Sequence, residues 1–231
     1  MSYEHNFHLA TPLGDLLITQ AVWTTWIIMV LLVVASAVLT MRLQSHPNRP
    51  QAAAEGLIEA MLGAVKAVAP EHAALIFPFV ATLWLFIIFA NVIGIVPEMK
   101  SPTADLATTS ALAIVVFFSV HWFGIRSEGV KSYLQHYLSP TPIMLPFHII
   151  SEISRTIALA VRLFGNMMSL EMAAMMLLLV AGFLIPVPLL MLHIVEALVQ
   201  AYIFGMLALV YIASGIEAQR RRTKEVIGGP Q

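Results

Sequence analysis

"LAVRLFGNMMSLEM", residues 159–172, sets Arg162, Asn166 and Glu171 inside a segment that is otherwise apolar. An arginine near the centre of a membrane helix costs roughly 2.5–3.5 kcal/mol on insertion scales, and a guanidinium cannot lose its proton to escape that cost. Whether this is a membrane helix is answered by the rest of the chain. Of 231 residues, 59% are hydrophobic and 11% charged, with a mean hydropathy of +0.86. That composition lies outside the range of soluble domains and marks an integral membrane protein. The absence of cysteine excludes disulfides, thiolate metal sites and cysteine nucleophiles. A net charge of −1 and the lack of a glycine-rich phosphate loop point to no nucleic-acid partner and no soluble catalytic domain.

The first twenty residues hold no Lys or Arg, so they lack the basic start of a cleaved signal peptide, and the first apolar run is expected to stay in the protein. Runs at 21–41, 73–96 (broken only by Pro78 and Asn91) and 106–125 (containing His121) have the length of membrane spans. Residues 144–182 are too long for an upright span and carry Glu152, Arg155, Arg162 and Glu171, which predicts a strongly tilted or partly interfacial helix. Pro186 and Pro188 are expected to break it, and a last helix is predicted over 189–216. Residues 52–69 place Leu57, Met61, Ala64, Val65 and Val68 at helical spacing, as a helix lying on the membrane surface or as a loop helix packed on neighbouring subunits. The fold class is thus all-α, a single polytopic membrane domain over 1–231 with about five transmembrane helices, the last two forming a long tilted hairpin. Lys and Arg outside the spans fall nine on one side and one on the other, which predicts the N-terminus outside and the C-terminus in the cytoplasm.

Helical geometry sharpens the reading of Arg162. Arg155, Ala158, Gly165, Asn166 and Ser169 share its stripe, and these mostly small or polar residues let another helix come close. Glu171, nine residues on, points to the opposite side. In the next helix His193, Glu196 and Gln200 form a matching polar stripe. An antiparallel hairpin that turns between Gly182 and Pro188 puts Glu171 level with His193, Glu196 and Gln200, and brings Arg162 to Gln200 only if the turn is early. Several ionisable groups on facing membrane helices point to a path for ions. His121, His136 and His148 read as packing residues.

Two motifs, "RLFGNMMSLEM" (162–172) and "HIVEALVQAYIF" (193–204), together resemble subunit a of F-type ATP synthases, the stationary membrane subunit beside the rotating ring of subunit c. "PTADLATT" (102–109) and "LVYIASGIEA" (209–218) extend the likeness. The resemblance implies that Arg162 is the family's essential arginine, with Asn166 and Gln200 beside it. It also implies that Glu171 and His193 line an aqueous half-channel, to which we add Glu196, and that Asp105 lies near the outer entrance. The lysine or glutamine that the family carries on the approach to the arginine is here Arg155. The family's acidic residue fourteen positions before the arginine is here His148, which leaves Glu152 to take that role. The implied function is exchange of protons or sodium ions with carboxylates of the subunit c ring, in a complex with subunit b and the other ATP synthase subunits. No catalysis by this chain alone, no cofactor and no metal are expected, and a bacterial inner membrane is the expected location. A secondary transporter should show inverted repeats, and a haem-binding anchor should show axial histidines at one depth, for which His121 and His193 are candidates. No repeat is present, and a haem gives Arg162 no purpose.

Overall fold

With no water in a bilayer core to satisfy backbone N–H and C=O groups, each long apolar run must hydrogen-bond to itself as a helix. The computed structural model describes residues 7–11, 14–41, 49–96, 99–129, 145–181 and 186–228. Arg42, Lys131, His136, Met144 and the expected turn from Gly182 lie outside these residues. The helices are α1 (Gln20–Met41), α2 (Arg49–Val68), α3 (Ala73–Val92), α4 (Leu106–Glu128), α5 (Leu145–Ala181) and α6 (Pro186–Gly228). All except α2 contain a stretch long and apolar enough to cross a membrane, five in total among the described residues. Before α1 the chain adds a short antiparallel pair, β1 (Phe7–Thr11) and β2 (Gly14–Ile18), with Phe7 opposite Ile18 and Thr11 opposite Gly14.

At 37 residues α5 is about 55 Å long, well beyond the roughly 30 Å of a hydrocarbon core, so it must tilt or project. The last helix is longer than the expected 189–216. It starts at Pro186 and runs to Gly228, through Arg220, Arg221, Arg222 and Lys224. Pro186 and Pro188 therefore open α6 instead of only ending α5. In the first turn a missing N–H costs no intrahelical bond, and the fixed proline φ already suits a helix.

The body is built from α3, α4, α5 and α6. At one end Met61 and Val65 of α2 join Ile76, Val80, Trp84, Val120, Phe123, Leu209 and Ile212. The stripe expected on α2 is thus divided, with Met61 and Val65 packed on this chain's own helices while Leu57 is exposed. Towards the other end Leu83, Ile87, Ala113, Val116, Leu159, Leu163, Met167, Ala201 and Phe204 form a second core. Asp105 caps α4, its carboxylate accepting from the Ala107 N–H and the Thr108 hydroxyl, each at 3.3 Å. By contrast α1 is peripheral, burying only Thr24 and Ile28 among its residues.

Candidate functional site

On α6 the buried residues Ala197, Ala201, Gly205 and Ala208 recur at close to four-residue intervals. Small side chains at this spacing let helix backbones approach, and here they admit both α3 and α5. At Gly205 the approach is extreme, because a Cβ would overlap Nε1 and Cδ1 of the Trp84 indole. That indole donates to Tyr202 O at 3.3 Å and stacks on the Tyr202 ring, with centroids 6.1 Å apart.

α5 turns Leu159, Leu163 and Met167 into the core, which leaves Arg162, Ala158 and Ser169 exposed about a quarter turn away. One turn after Arg162, Asn166 Nδ2 donates to Gln200 Oε1 at 2.7 Å, joining α5 to α6. Gln200 is buried, and its own Nε2 has no partner within the chain among the described residues. An early turn had been the condition for Arg162 to meet Gln200; in the structure Asn166 takes that position. Arg155 instead lies over the Tyr211 ring of α6, 5.5 Å from its centroid.

The structure does not join Glu171, His193 and Glu196 by hydrogen bonds or ion pairs among the described residues. Glu171 and Glu196 are partly exposed, on facing helices. His193 is buried and turns to α3, its Nε2 lying 3.3 Å from the Asn91 carbonyl. A carbonyl only accepts, so Nε2 carries the hydrogen, and in the neutral ring Nδ1 is left as the acceptor.

Asn91 is the centre of a polar network that the sequence marks only as an interruption in an apolar run. Its Nδ2 donates to Ala197 O at 3.2 Å, and its Oδ1 accepts from the Thr103 hydroxyl at 2.6 Å. Ser101 lies 2.7 Å from Thr103 Oγ1 and donates to Ala90 O at 2.7 Å. Asn91, Ser101 and Thr103 are all buried. The segment between α3 and α4 thereby fixes α3 against α6 at the level of His193. Thr103→Val keeps the shape and removes the donor to Asn91 Oδ1, so we expect it to destabilise the protein by about 1–3 kcal/mol, while Thr103→Ser stays close to wild type. Thermal unfolding in detergent, comparing the two variants, checks this.

Residues 22–213 match the family described as ATP synthase A chain. Among similar proteins, "ATP synthase subunit a 2" of Pelobacter propionicus is 60% identical over 221 residues, 95% of each chain. "ATP synthase subunit a" of Legionella pneumophila (strain Philadelphia 1) is 56% identical over 218 residues, 94% of this chain and 95% of the relative. "ATP synthase subunit a 1" of Hahella chejuensis is 57% identical over 216 residues, 92% of each.

Proposed function

Because this chain belongs to the ATP synthase A chain family and is a multi-pass membrane component of that complex, we propose that it is the stationary ion-translocating subunit of a rotary F-type ATP synthase. The observation that carries this reading is the placement of Arg162. It is an always-charged residue on the exposed side of α5, flanked by the exposed apolar residues Ile157, Val161 and Met168, and no carboxylate among the described residues pairs with it. A membrane cation of this kind needs a counter-charge, and in this reading a partner subunit supplies it. The subunit c ring, with one carboxylate per helix, has the required chemistry.

In this mechanism an ion enters from the outer side past Asp105, Glu171, His193 and Glu196 and neutralises a ring carboxylate. The neutral site can then move through lipid. When it has come round to Arg162, the fixed cation favours the ionised carboxylate, and the ion leaves through a second half-channel on the cytoplasmic side. Direct passage between the half-channels is opposed by the same positive charge. Asn166 and Gln200 hold α5 to α6 beside Arg162, and the unused Gln200 Nε2 is a donor for channel water. Each charge crossing 100 mV supplies about 2.3 kcal/mol, so several ions are needed per ATP made elsewhere in the complex. The nine-to-one distribution of Lys and Arg supports a cytoplasmic C-terminus, and the proposed setting is a bacterial inner membrane with subunit b as stator partner.

The chain has no native cysteine, so single cysteines report contacts without background. Under oxidation, cysteine at Val161 or Met168 should form a disulfide with cysteine placed near the ring carboxylate, whereas cysteine at buried Ala208 should not. Absence of cross-linking from both exposed positions in an assembled complex would count against this face as the ring contact.

A further inference from the structure

The exposed face of α5 changes its side-chain chemistry at Arg162. On the N-terminal side it presents the β-branched residues Ile149, Ile150, Ile153, Ile157 and Val161. On the C-terminal side it presents Met168, Met172, Met175 and Met176 before ending in Leu179 and Val180. At 3.6 residues per turn the four methionines fall within an arc of about 100°, and Val161 lies inside that arc. They therefore continue the face of Val161 beyond Arg162, from about 9 to about 21 Å along the helix. Met175 and Met176 are 57% and 65% exposed, so packing within the chain does not account for them.

The other exposed helix faces are built differently. α4 presents Ile114, Val115, Phe118 and Trp122 and contains no methionine, and α1 presents Val30, Val33, Val34 and Val38, with Met29 and Met41 its two methionines. Hydrocarbon accepts any of these side chains, so a lipid surroundings gives no reason for the cluster on α5. Flexibility does. Ile and Val are held in essentially one χ1 rotamer within a helix and offer a surface of fixed shape. Methionine is unbranched, with three rotatable bonds and a polarisable sulfur, so it changes shape and keeps contact. A neighbour that stays in place needs no such adjustment. A neighbour that moves past does, because every shift changes the gaps that close packing must fill.

We propose that Met168, Met172, Met175 and Met176 form a deformable bearing against the turning subunit c ring, opposite in character to the stiff β-branched contact on the other side of Arg162. This inference rests on the reading of the chain as the stationary ion-translocating subunit, in which Val161 and Met168 face the ring. It adds an occupant for the next 12 Å or so of α5 and a reason for its composition. The methionines repack as one ring helix replaces the next, so contact persists between stopping positions and the barrier to each step stays low. The β-branched side keeps its shape, which sets the distance at which a ring carboxylate passes Arg162.

The test uses the intact complex in proteoliposomes, with ATP-driven ion uptake followed by a membrane-potential dye so that protons and sodium ions are read alike. Met172→Ile, Met175→Ile and Met176→Ile combined should lower the initial rate per assembled complex about fivefold and steepen its temperature dependence, because three adjustable side chains become fixed ones. The same three positions changed to Leu, which branches one carbon further out, should stay within about twofold of wild type. Met29→Ile, the same exchange on the exposed side of α1, should leave the rate unchanged. Under oxidation, cysteine at Met172 or Met176 should link to cysteine on the outer half of a ring helix. A wild-type rate and temperature dependence in the triple Ile variant overturns the bearing. So does an equal loss in the Ile and Leu variants, which reports lost contact and not lost flexibility. Absence of links from both positions, in a complex where cysteine at Val161 does link, assigns the face to lipid and overturns it as well. Arg162→Ala in the same vesicles separates the two readings. If it keeps coupled uptake, the broader function fails; if it loses uptake while the triple Ile variant matches wild type, only the bearing fails.

Discussion

Arg162→Ala should abolish ATP-driven ion uptake in proteoliposomes while the complex still assembles. Assembly survives because Arg162 is exposed on α5, makes no hydrogen bond or ion pair among the described residues, and takes no part in the core formed by Leu159, Leu163 and Met167. On the proposed mechanism coupling fails for two separate reasons. Without the fixed cation, the ring carboxylate has no reason to ionise where its ion must be released. Without the repulsion, ions also cross between the half-channels and dissipate the gradient. The expected uptake is that of vesicles without ATP. Running the assay with and without sodium also identifies the coupling ion. Arg162→Lys preserves charge but presents a compact ammonium in place of a planar fork, and should recover only part of the uptake. Undiminished coupled uptake in an assembled Arg162→Ala complex would remove the arginine from the mechanism.

Gly205→Ala should destabilise the chain, although it adds only one carbon. Within a helix this exchange ordinarily stabilises by up to about 1 kcal/mol, because alanine is the better helix former. Here the new Cβ would overlap the buried Trp84 indole, whose Nε1 donates to Tyr202 O. The indole must move or α3 and α6 must separate, and overpacking of a dense core costs typically about 1–3 kcal/mol. For a chain of this size that corresponds to a loss of roughly 2–4 °C in Tm per kcal/mol. Gly205→Val should be worse and deplete the protein from membranes. The comparison position is Gly56, where a Cβ meets nothing within 4 Å. Replacing Trp84 by Leu in the Gly205→Ala background should recover part of the loss, since the two changes share one contact and are not additive. Equal stability of Gly205→Ala and Gly56→Ala would refute the close packing of α3 on α6.

The polar residues show where sequence reading was sufficient and where it stopped. Periodicity along α5 separates Arg162 from Glu171 by half a turn of the helix, and counting back from the hairpin turn puts Gln200 near the level of Arg162. Which of two neighbouring side chains meets Gln200 depends on small rotations and a turn whose centre the sequence leaves open within several residues. The structure selects Asn166. His193 was expected to look towards Glu171 across the hairpin, yet its hydrogen bond goes to α3, a helix about a hundred residues away in the chain. Periodicity orients a residue about its own axis but does not say which distant helix occupies that direction. His121 has the same history, since its pairing with Glu152 follows from how α4 packs against α5. One signal in the sequence was available for the α6 contacts, the spacing of Ala197, Ala201 and Gly205.

By itself the sequence determined that this is a helical membrane protein with about five crossings, a permanent positive charge set in an apolar segment, and a resemblance that names its family. Those conclusions rest on local physics, because bilayer thickness sets span length, backbone desolvation forces helices, and an arginine cannot be neutralised. Only the tertiary structure decided that Asn91 and Thr103 fasten α3 to α6, that Gly205 must remain bare for Trp84, and that His121 meets Glu152. Each is a contact between distant segments, fixed by how helices rotate and slide when small residues let them approach, and the hydropathy pattern along a single helix does not encode that choice.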